Sequence, residues 1–126
     1  MHVELARALA PVLHDLETTG APVPRVVDDG WAEDPATASA MLWSRDGSGT
    51  GVSVHLGVPR PEQVAHVADQ VQEWAVEALW GSRPTGWPPC PQHPTTHPLR
   101  AVVRDGAARW TCPEDGTAVA VVGALR

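Results

Sequence analysis

Six prolines crowd residues 81–98, and no other feature restricts the fold of this chain as strongly. They are Pro84, Pro88, Pro89, Pro91, Pro94 and Pro98. Proline removes a backbone donor and clashes with the preceding helical turn, so this density excludes a helix or a central strand. The sequence therefore predicts a stiff extended connector in this passage. It also divides the chain into a body, residues 1–82, and a C-terminal module, residues 83–126.

Two segments of the body have the apolar spacing of amphipathic helices, at intervals of three and four residues. In residues 2–18 the apolar positions are Leu5, Leu9, Val12 and Leu16. In residues 61–80 they are Val64, Val67, Val71, Trp74 and Ala78. Pro11 lies inside the first pattern and predicts a kink or a later helix start. His14 and Asp15 are adjacent, and adjacent helical residues point about 100° apart, so we expect both to be solvated surface.

The segment between these helices, residues 23–58, has the pattern of short strands. Residues 46–51, DGSGTG, are a strong turn signal, and the residues that follow alternate apolar and polar side chains. This pattern predicts a β-hairpin. We therefore expect the body to be an α+β fold in which two helices pack on a small antiparallel sheet.

Both cysteines of the chain lie in the C-terminal module, and each begins a short Cys-Pro turn. Cys90 begins the sequence CPQH, which ends at His93, and Cys112 begins CPED, which ends at Asp115. Two ligands separated by two residues can bind one ion from a single tight turn, and zinc is held tetrahedrally by thiolates and imidazoles. The sequence therefore predicts a Zn²⁺ site in which Cys90, His93 and Cys112 are the secure ligands.

The sequence leaves the fourth ligand open between two residues. Asp115 has the appropriate spacing from Cys112 but is a poorer structural zinc ligand than Cys, whereas His97 would complete a charge-balanced Cys₂His₂ set. Two alternatives to a metal also stay open. The Cys-Pro turns could be metal-free hairpin corners with buried thiols, or the two cysteines could form a disulfide on exposure to oxidant. In a reducing cytosol, metal ligands or free thiols are favoured over a disulfide.

The order of elements in the module resembles that of a zinc ribbon. After the first Cys-Pro turn come a strand over residues 99–104, a turn at Asp105-Gly106, a strand over 107–111, the second Cys-Pro turn and a strand over 117–122. The resemblance implies a three-stranded β module with zinc between its turns. In that family the fourth position of each turn is usually Cys, where this chain has His93 and Asp115. The stretch also resembles the C-terminal part of small actinobacterial proteins, which implies a cytosolic bacterial protein and carries no activity with it.

Net charge limits the partners that this chain can bind. It is −6, with a pI near 5.4, which argues against nucleic acid or an anionic membrane as the main target. Residues 1–82 carry four Arg and twelve acidic residues, whereas residues 83–126 carry five Arg and three acidic residues. No run of about 18 apolar residues is present, and charged residues interrupt the N-terminal segment, so we expect neither a membrane span nor a signal peptide. A cytoplasmic protein is the expectation.

These observations favour a non-enzymatic protein-interaction or regulatory module with a structural zinc site, and we expect its partner to be another protein. A nucleic-acid-binding role is the alternative, and it would use Arg100, Arg104, Arg109 and Arg126 along one edge. A metal-assisted hydrolase is a weaker alternative. It needs an open coordination position and a nearby acid or base, for which Glu114 or an unbound Asp115 is available.

Overall fold

In the computed structural model, which describes residues 1–80 and 86–126, the chain forms an α+β fold of two helices and two small antiparallel sheets. The helices are α1, Val3–Thr18, and α2, Arg60–Trp80. The first sheet contains β1 (Arg25–Val27), β2 (Thr37–Trp43) and β3 (Gly49–His55), and the second contains β4 (Arg100–Arg104), β5 (Ala107–Thr111) and β6 (Ala118–Val121). Among these elements, no helix is both long and apolar enough to cross a membrane. The predicted boundary between residues 82 and 83 lies outside the described residues.

Helix α1 buries the apolar stripe that its sequence predicts. The four apolar side chains of the stripe, Leu5, Leu9, Val12 and Leu16, are at most 2% exposed. The helix begins after His2, whose imidazole Nδ1 accepts the backbone N–H of Glu4. It then continues through Pro11 to Thr18. The predicted later helix start is therefore wrong.

Asp15 in α1 is buried, which contradicts the expectation that it would be solvated. Its side chain is fully buried, whereas the neighbouring His14 is exposed. The Asp15 carboxylate accepts hydrogen bonds from the indole N–H of Trp110 and from the backbone N–H groups of Gly123 and Leu125, at 2.7 to 3.0 Å. These three donors satisfy a charge that would otherwise keep the side chain in water.

The first sheet is antiparallel in the order β1-β2-β3, and β2 and β3 form the predicted hairpin. The Ser44 N–H donates to the Ser48 carbonyl at 2.8 Å and closes the turn. Gly47 in this turn has φ of +90°, a conformation that glycine adopts without a steric penalty. The turn signal in residues 46–51 therefore gave the correct place for the chain reversal.

Helix α2 lies against both sheets rather than against one. It packs on β3 of the first sheet and on β4 and β5 of the second. Two of its glutamines, seven residues apart, close the free edge of β3. The Gln70 side chain bonds both the N–H and the carbonyl of Ser53, and Gln63 donates to the carbonyl of His55. These bonds satisfy backbone N–H and carbonyl groups on the edge of β3, which could otherwise form hydrogen bonds with another strand.

The second sheet is antiparallel in the order β4-β5-β6, and its first turn has the predicted form. Asp105 and Gly106 have φ of 53° and 76°, as a two-residue hairpin turn requires. The inner face of the sheet carries Trp110, which is fully buried and packs edge to face on Trp87 with ring centroids 5.5 Å apart. These residues belong to the same hydrophobic cluster as the stripe of α1, so one core includes both predicted parts of the chain.

Candidate metal centre

The proline-rich segment folds back on itself from residue 86 onward. The Leu99 N–H donates to the Pro88 carbonyl at 2.7 Å, and Pro89 pairs with Pro98 as an isolated antiparallel bridge. Between these contacts the chain makes two successive turns over residues 90–96. The predicted extended connector is therefore wrong for this part of the chain. The φ angle that proline fixes suits turns as well as extended backbone, so proline density alone does not decide between them.

Four side chains converge inside this loop and at the turn after β5. The ligand atoms of Cys90, His93, His97 and Cys112 all lie within 4.8 Å of one another. The Nδ1 atom of His93 is 3.7 Å from each sulfur, and the Nε2 atom of His97 is 3.8 Å from the sulfur of Cys112. A tetrahedral zinc ion, with bonds of about 2.3 Å to sulfur and about 2.0–2.1 Å to nitrogen, separates sulfur from nitrogen by about 3.6 Å. The observed separations match the edges of that tetrahedron.

The two Cys-Pro turns present their sulfur atoms in the same way. In each turn, the backbone N–H groups of the second and third residues after the cysteine donate to its sulfur. Such donors stabilise the thiolate, which is the form that binds a metal.

The two thiols differ in how burial and these hydrogen bonds combine. Burial acts to raise the pKa of Cys90, but the bonds from His93 and from the backbone outweigh burial and lower the pKa to about 7. The same contact with Cys90 raises the pKa of His93. At Cys112 burial prevails and raises the pKa of the thiol. Cys90 is therefore the more readily ionised of the pair.

Each imidazole has an oxygen acceptor near one ring nitrogen, within hydrogen-bond distance for His97 and slightly beyond it for His93. The Nδ1 atom of His97 is 3.2 Å from the Pro98 carbonyl, which can only accept, so in a neutral ring this nitrogen would carry the hydrogen and Nε2 would have the lone pair. The Nε2 atom of His93 lies 3.6 Å from the carboxylate of Glu114, which leaves Nδ1 to face the two sulfurs. An outer acceptor of this kind fixes the tautomer of most metal-bound histidines.

The site brings several electron-pair donors close together without a fixed cation among the described side chains. The Nε2 atom of His97 lies 3.3 Å from Glu114 Oε2 and 3.8 Å from Cys112 Sγ. Groups of this kind repel one another unless a positive charge lies among them, which either a ring proton or a metal ion supplies. The arrangement is therefore suited to holding a cation.

Asp115 lies beside this site but outside the group of four. Its carboxylate accepts the backbone N–H of Thr117 at 2.8 Å, and this bond lowers the pKa of Asp115. The group that could hold an ion contains His97 instead. The spacing that favoured Asp115 is local to one turn, whereas His97 reaches the site because the loop closes on itself. Glu114, which the sequence offered as an acid or base, faces both imidazoles.

Exposure differs across the site. Both cysteines are buried, whereas the side chains of His93 and His97 are 32% and 17% exposed and that of Glu114 is 60% exposed. Solvent therefore reaches the site from the imidazole side.

Comparisons of this chain with protein-family models, with curated proteins and with solved structures found no match.

Proposed function

We propose that this protein binds one Zn²⁺ ion through Cys90, His93, His97 and Cys112, and that the ion has a structural role. The observation that supports this most directly is the convergence of the four ligand atoms within 4.8 Å. Two thiolates balance the charge of the ion, and two neutral imidazoles complete a tetrahedral set. His97 is the fourth ligand in this proposal, because it belongs to the group of converging ligand atoms and Asp115 does not.

A structural role follows from the number of protein ligands and from where they lie. Four protein ligands leave no coordination position for water or substrate, whereas catalytic zinc sites keep one open. The ion would tie the loop of residues 88–99 to the turn after β5, two segments that lie outside the helices and named strands. The interleaving of the two Cys-Pro turns with β4, β5 and β6 supports the proposed likeness to a zinc ribbon.

We further propose that the protein is a non-enzymatic interaction or regulatory module of the bacterial cytosol, and that it binds another protein. The exposed surface of α2 supports this role. It carries Asp69, Glu73 and Glu77 at four-residue spacing and ends at Trp80, whose side chain is 72% exposed. A large exposed aromatic side chain beside a row of carboxylates suits a protein partner with apolar and basic groups.

Elemental analysis of protein purified without chelator tests the zinc proposal. We expect one zinc per chain in the wild type, and loss of zinc in Cys112→Ser and His97→Ala. Asp115→Ala should keep its zinc, and so should the matched control His66→Ala, which removes an exposed histidine of α2. Binding of Co²⁺ in place of zinc provides an independent measurement, because tetrahedral Co²⁺ with thiolate ligands has visible and charge-transfer absorption.

Two results would contradict this assignment in different ways. Wild-type protein without any bound zinc, and with no Co²⁺ absorption on titration, would remove the proposed function. Zinc retained in His97→Ala but lost in Asp115→Ala would keep the metal and transfer the fourth position to Asp115.

Nucleic-acid binding is a second candidate function, and the outer face of the second sheet favours it. Because side chains alternate along a strand, Arg100 and Arg104 lie on the face opposite to that of Trp110. Arg109 pairs across strands with Val102 on this same outer face. We call these three arginines the arginine face. None of them forms an ion pair with a described carboxylate. Arg104 and Arg109 each donate one hydrogen bond to a backbone carbonyl, and their other N–H groups could contact phosphate.

A further inference from the structure

The carboxylate of Glu114 lies where the metal centre is open to solvent. The side chain of Glu114 is 60% exposed, whereas Cys90 and Cys112 are 0% and 1% exposed. The backbone of Glu114 belongs to the second Cys-Pro turn, and its N–H donates to the Cys112 sulfur. The turn that supplies a buried sulfur therefore also carries an exposed carboxylate.

Glu114 is as close to one imidazole as two ligands of a single ion are to each other. Its Oε2 atom lies 3.3 Å from His97 Nε2 and 3.6 Å from His93 Nε2. A tetrahedral zinc ion with bonds of about 2.0–2.2 Å to oxygen and nitrogen separates these two kinds of ligand atom by about 3.3–3.5 Å. Glu114 and His97 are therefore placed to hold one ion together, and His93 Nε2 is slightly too distant.

The same nitrogen of His97 also lies close to a buried sulfur. His97 Nε2 is 3.8 Å from Cys112 Sγ, and His97 belongs to the group of four whose ligand atoms lie within 4.8 Å of one another. This nitrogen is thus a neighbour both of the exposed carboxylate of Glu114 and of the Cys112 sulfur. An ion that is bound to it can exchange oxygen for sulfur without leaving the protein.

We propose, on the basis of the zinc site proposed above, that Glu114 is a transient ligand through which Zn²⁺ enters and leaves the metal centre. Glu114 and His97 take up the ion at the exposed edge, and the other three ligands then replace the carboxylate as the ion moves inward. Without this carboxylate the ion would give up more of its water before it gained protein ligands, and removing a charge from water is costly. The outer pair has only two protein ligands, so the ion passes through it and does not remain there.

This role predicts an effect on rates and not on affinity. A ligand that holds the ion only in passage lowers the barrier in both directions, so its removal slows entry and release by the same factor. Two other roles for Glu114 predict the opposite effect on release. A carboxylate that attracts the bound ion by its charge, or that supports the ring of His93 as an outer acceptor, stabilises the bound state, and its removal speeds release.

The test is zinc exchange in the full-length protein, loaded with one stable isotope of zinc and mixed with an excess of another. Mass spectrometry of the desalted protein gives the exchange rate, and competition with a chromophoric chelator gives the dissociation constant. We expect Glu114→Gln to exchange zinc about tenfold more slowly than the wild type, with the same dissociation constant, because an amide is not among the usual zinc ligands. Glu114→Asp keeps a carboxylate and should exchange faster than Glu114→Gln. Glu73→Gln removes an exposed carboxylate of α2 and is the matched control, which should exchange as the wild type does.

Two results in zinc-loaded protein would overturn the transient role. Faster exchange and weaker binding in Glu114→Gln would make Glu114 a support of the bound state, and an unchanged exchange rate would give it no part in the passage of the ion. Both results require bound zinc. They therefore differ from failure of the proposed function, in which the wild type holds no zinc and both proposals fall.

Discussion

At the scale of single residues, Asp15 connects the N-terminal helix directly to the last strands and the C-terminal segment. Its three hydrogen-bond donors lie 95 to 110 positions later in the sequence. One of them, the N–H of Gly123, belongs to a residue with φ of 104° whose Cα approaches Pro11 so closely that a Cβ would lie 2.8 Å from the proline ring. Only glycine fits there without displacing α1. The carboxylate and this glycine together fix the C-terminal segment against α1.

Asp15→Ala is therefore expected to destabilise the protein by about 3–5 kcal/mol, because it leaves three N–H donors unpaired in the interior. The measurement is urea unfolding at neutral pH followed by tryptophan fluorescence. His14→Ala is the matched control, since it truncates the exposed neighbour and should change stability by less than about 0.5 kcal/mol. A similar small effect of Asp15→Ala would show that the carboxylate contributes little to the fold.

At the scale of secondary-structure elements, polar side chains of the helices determine how the elements are joined. The first turn of α1 contacts the start of α2 and the turn after β3 through one carboxylate. Glu4 Oε1 accepts the backbone N–H of Gly57 at 2.9 Å and the side-chain N–H of Gln63 at 2.8 Å. Both hydrogen bonds lower the pKa of Glu4 from its ordinary value of 4.5, and the bond from Gly57 has the larger effect. The ionised carboxylate is thus the form that holds these elements together.

A lowered pKa in the folded state makes the contribution of Glu4 to stability dependent on pH. This contribution is fully present above the ordinary pKa of 4.5 and is lost as the pH falls through the lower pKa of the folded protein. Glu4→Gln should therefore reduce the loss of stability on acidification, so that wild type and variant converge at low pH. Urea unfolding over a pH series measures this difference.

Glu17→Gln serves as the control for this measurement, because it removes an exposed carboxylate from the same helix. It should keep the pH dependence of the wild type. An unchanged pH dependence in Glu4→Gln would mean that the two hydrogen bonds do not discriminate between the ionised and neutral carboxyl group.

At the scale of the whole molecule, charge is divided between two regions. The body is acidic, whereas residues 83–126 carry five Arg and three acidic residues, and the arginine face lies on that part. A polyanion would therefore meet one favourable surface and a repulsive remainder. This division is one reason why we propose a protein partner instead of nucleic acid as the main target. It also gives the nucleic-acid alternative a specific electrostatic signature.

If three arginines contact phosphates of duplex DNA, the logarithm of the binding constant should fall with the logarithm of salt concentration with a slope of about −2.7. Fluorescence anisotropy with a labelled duplex at several salt concentrations measures this slope. Arg104→Glu combined with Arg109→Glu should abolish binding while zinc is retained. Arg25→Glu combined with Arg60→Glu, at two exposed sites on the body, is the charge-matched control. Binding that is absent at low salt, or equally weakened by the control, would count against this function.

The sequence by itself determined the local features of this protein. Both helices, the two hairpins and the left-handed turn at Asp105-Gly106 follow from apolar spacing and turn chemistry, which act over a few neighbouring residues. The same local logic indicated that Cys90 and His93 could share one ion, because they lie in a single turn. The periodicity of α1 even places Asp15 on its buried side, but a pattern cannot show whether distant donors will satisfy a carboxylate.

Only the tertiary structure decided what depends on contacts between distant segments. The backbone bond from Leu99 to Pro88 closes the proline-rich loop and brings His97 to Cys112, fifteen residues later, while Asp115 bonds its own turn. Helix α2 packs on two sheets, and its glutamines hydrogen-bond the edge of β3. The sequence of the helix alone does not indicate that a strand edge lies beside these glutamines. The burial of Asp15, and the lack of a partner for the Trp74 indole N–H among the described residues, also depend on contacts between distant segments. Hydrogen-bond satisfaction in the interior is a property of the assembled fold, because the partners are far apart in the chain.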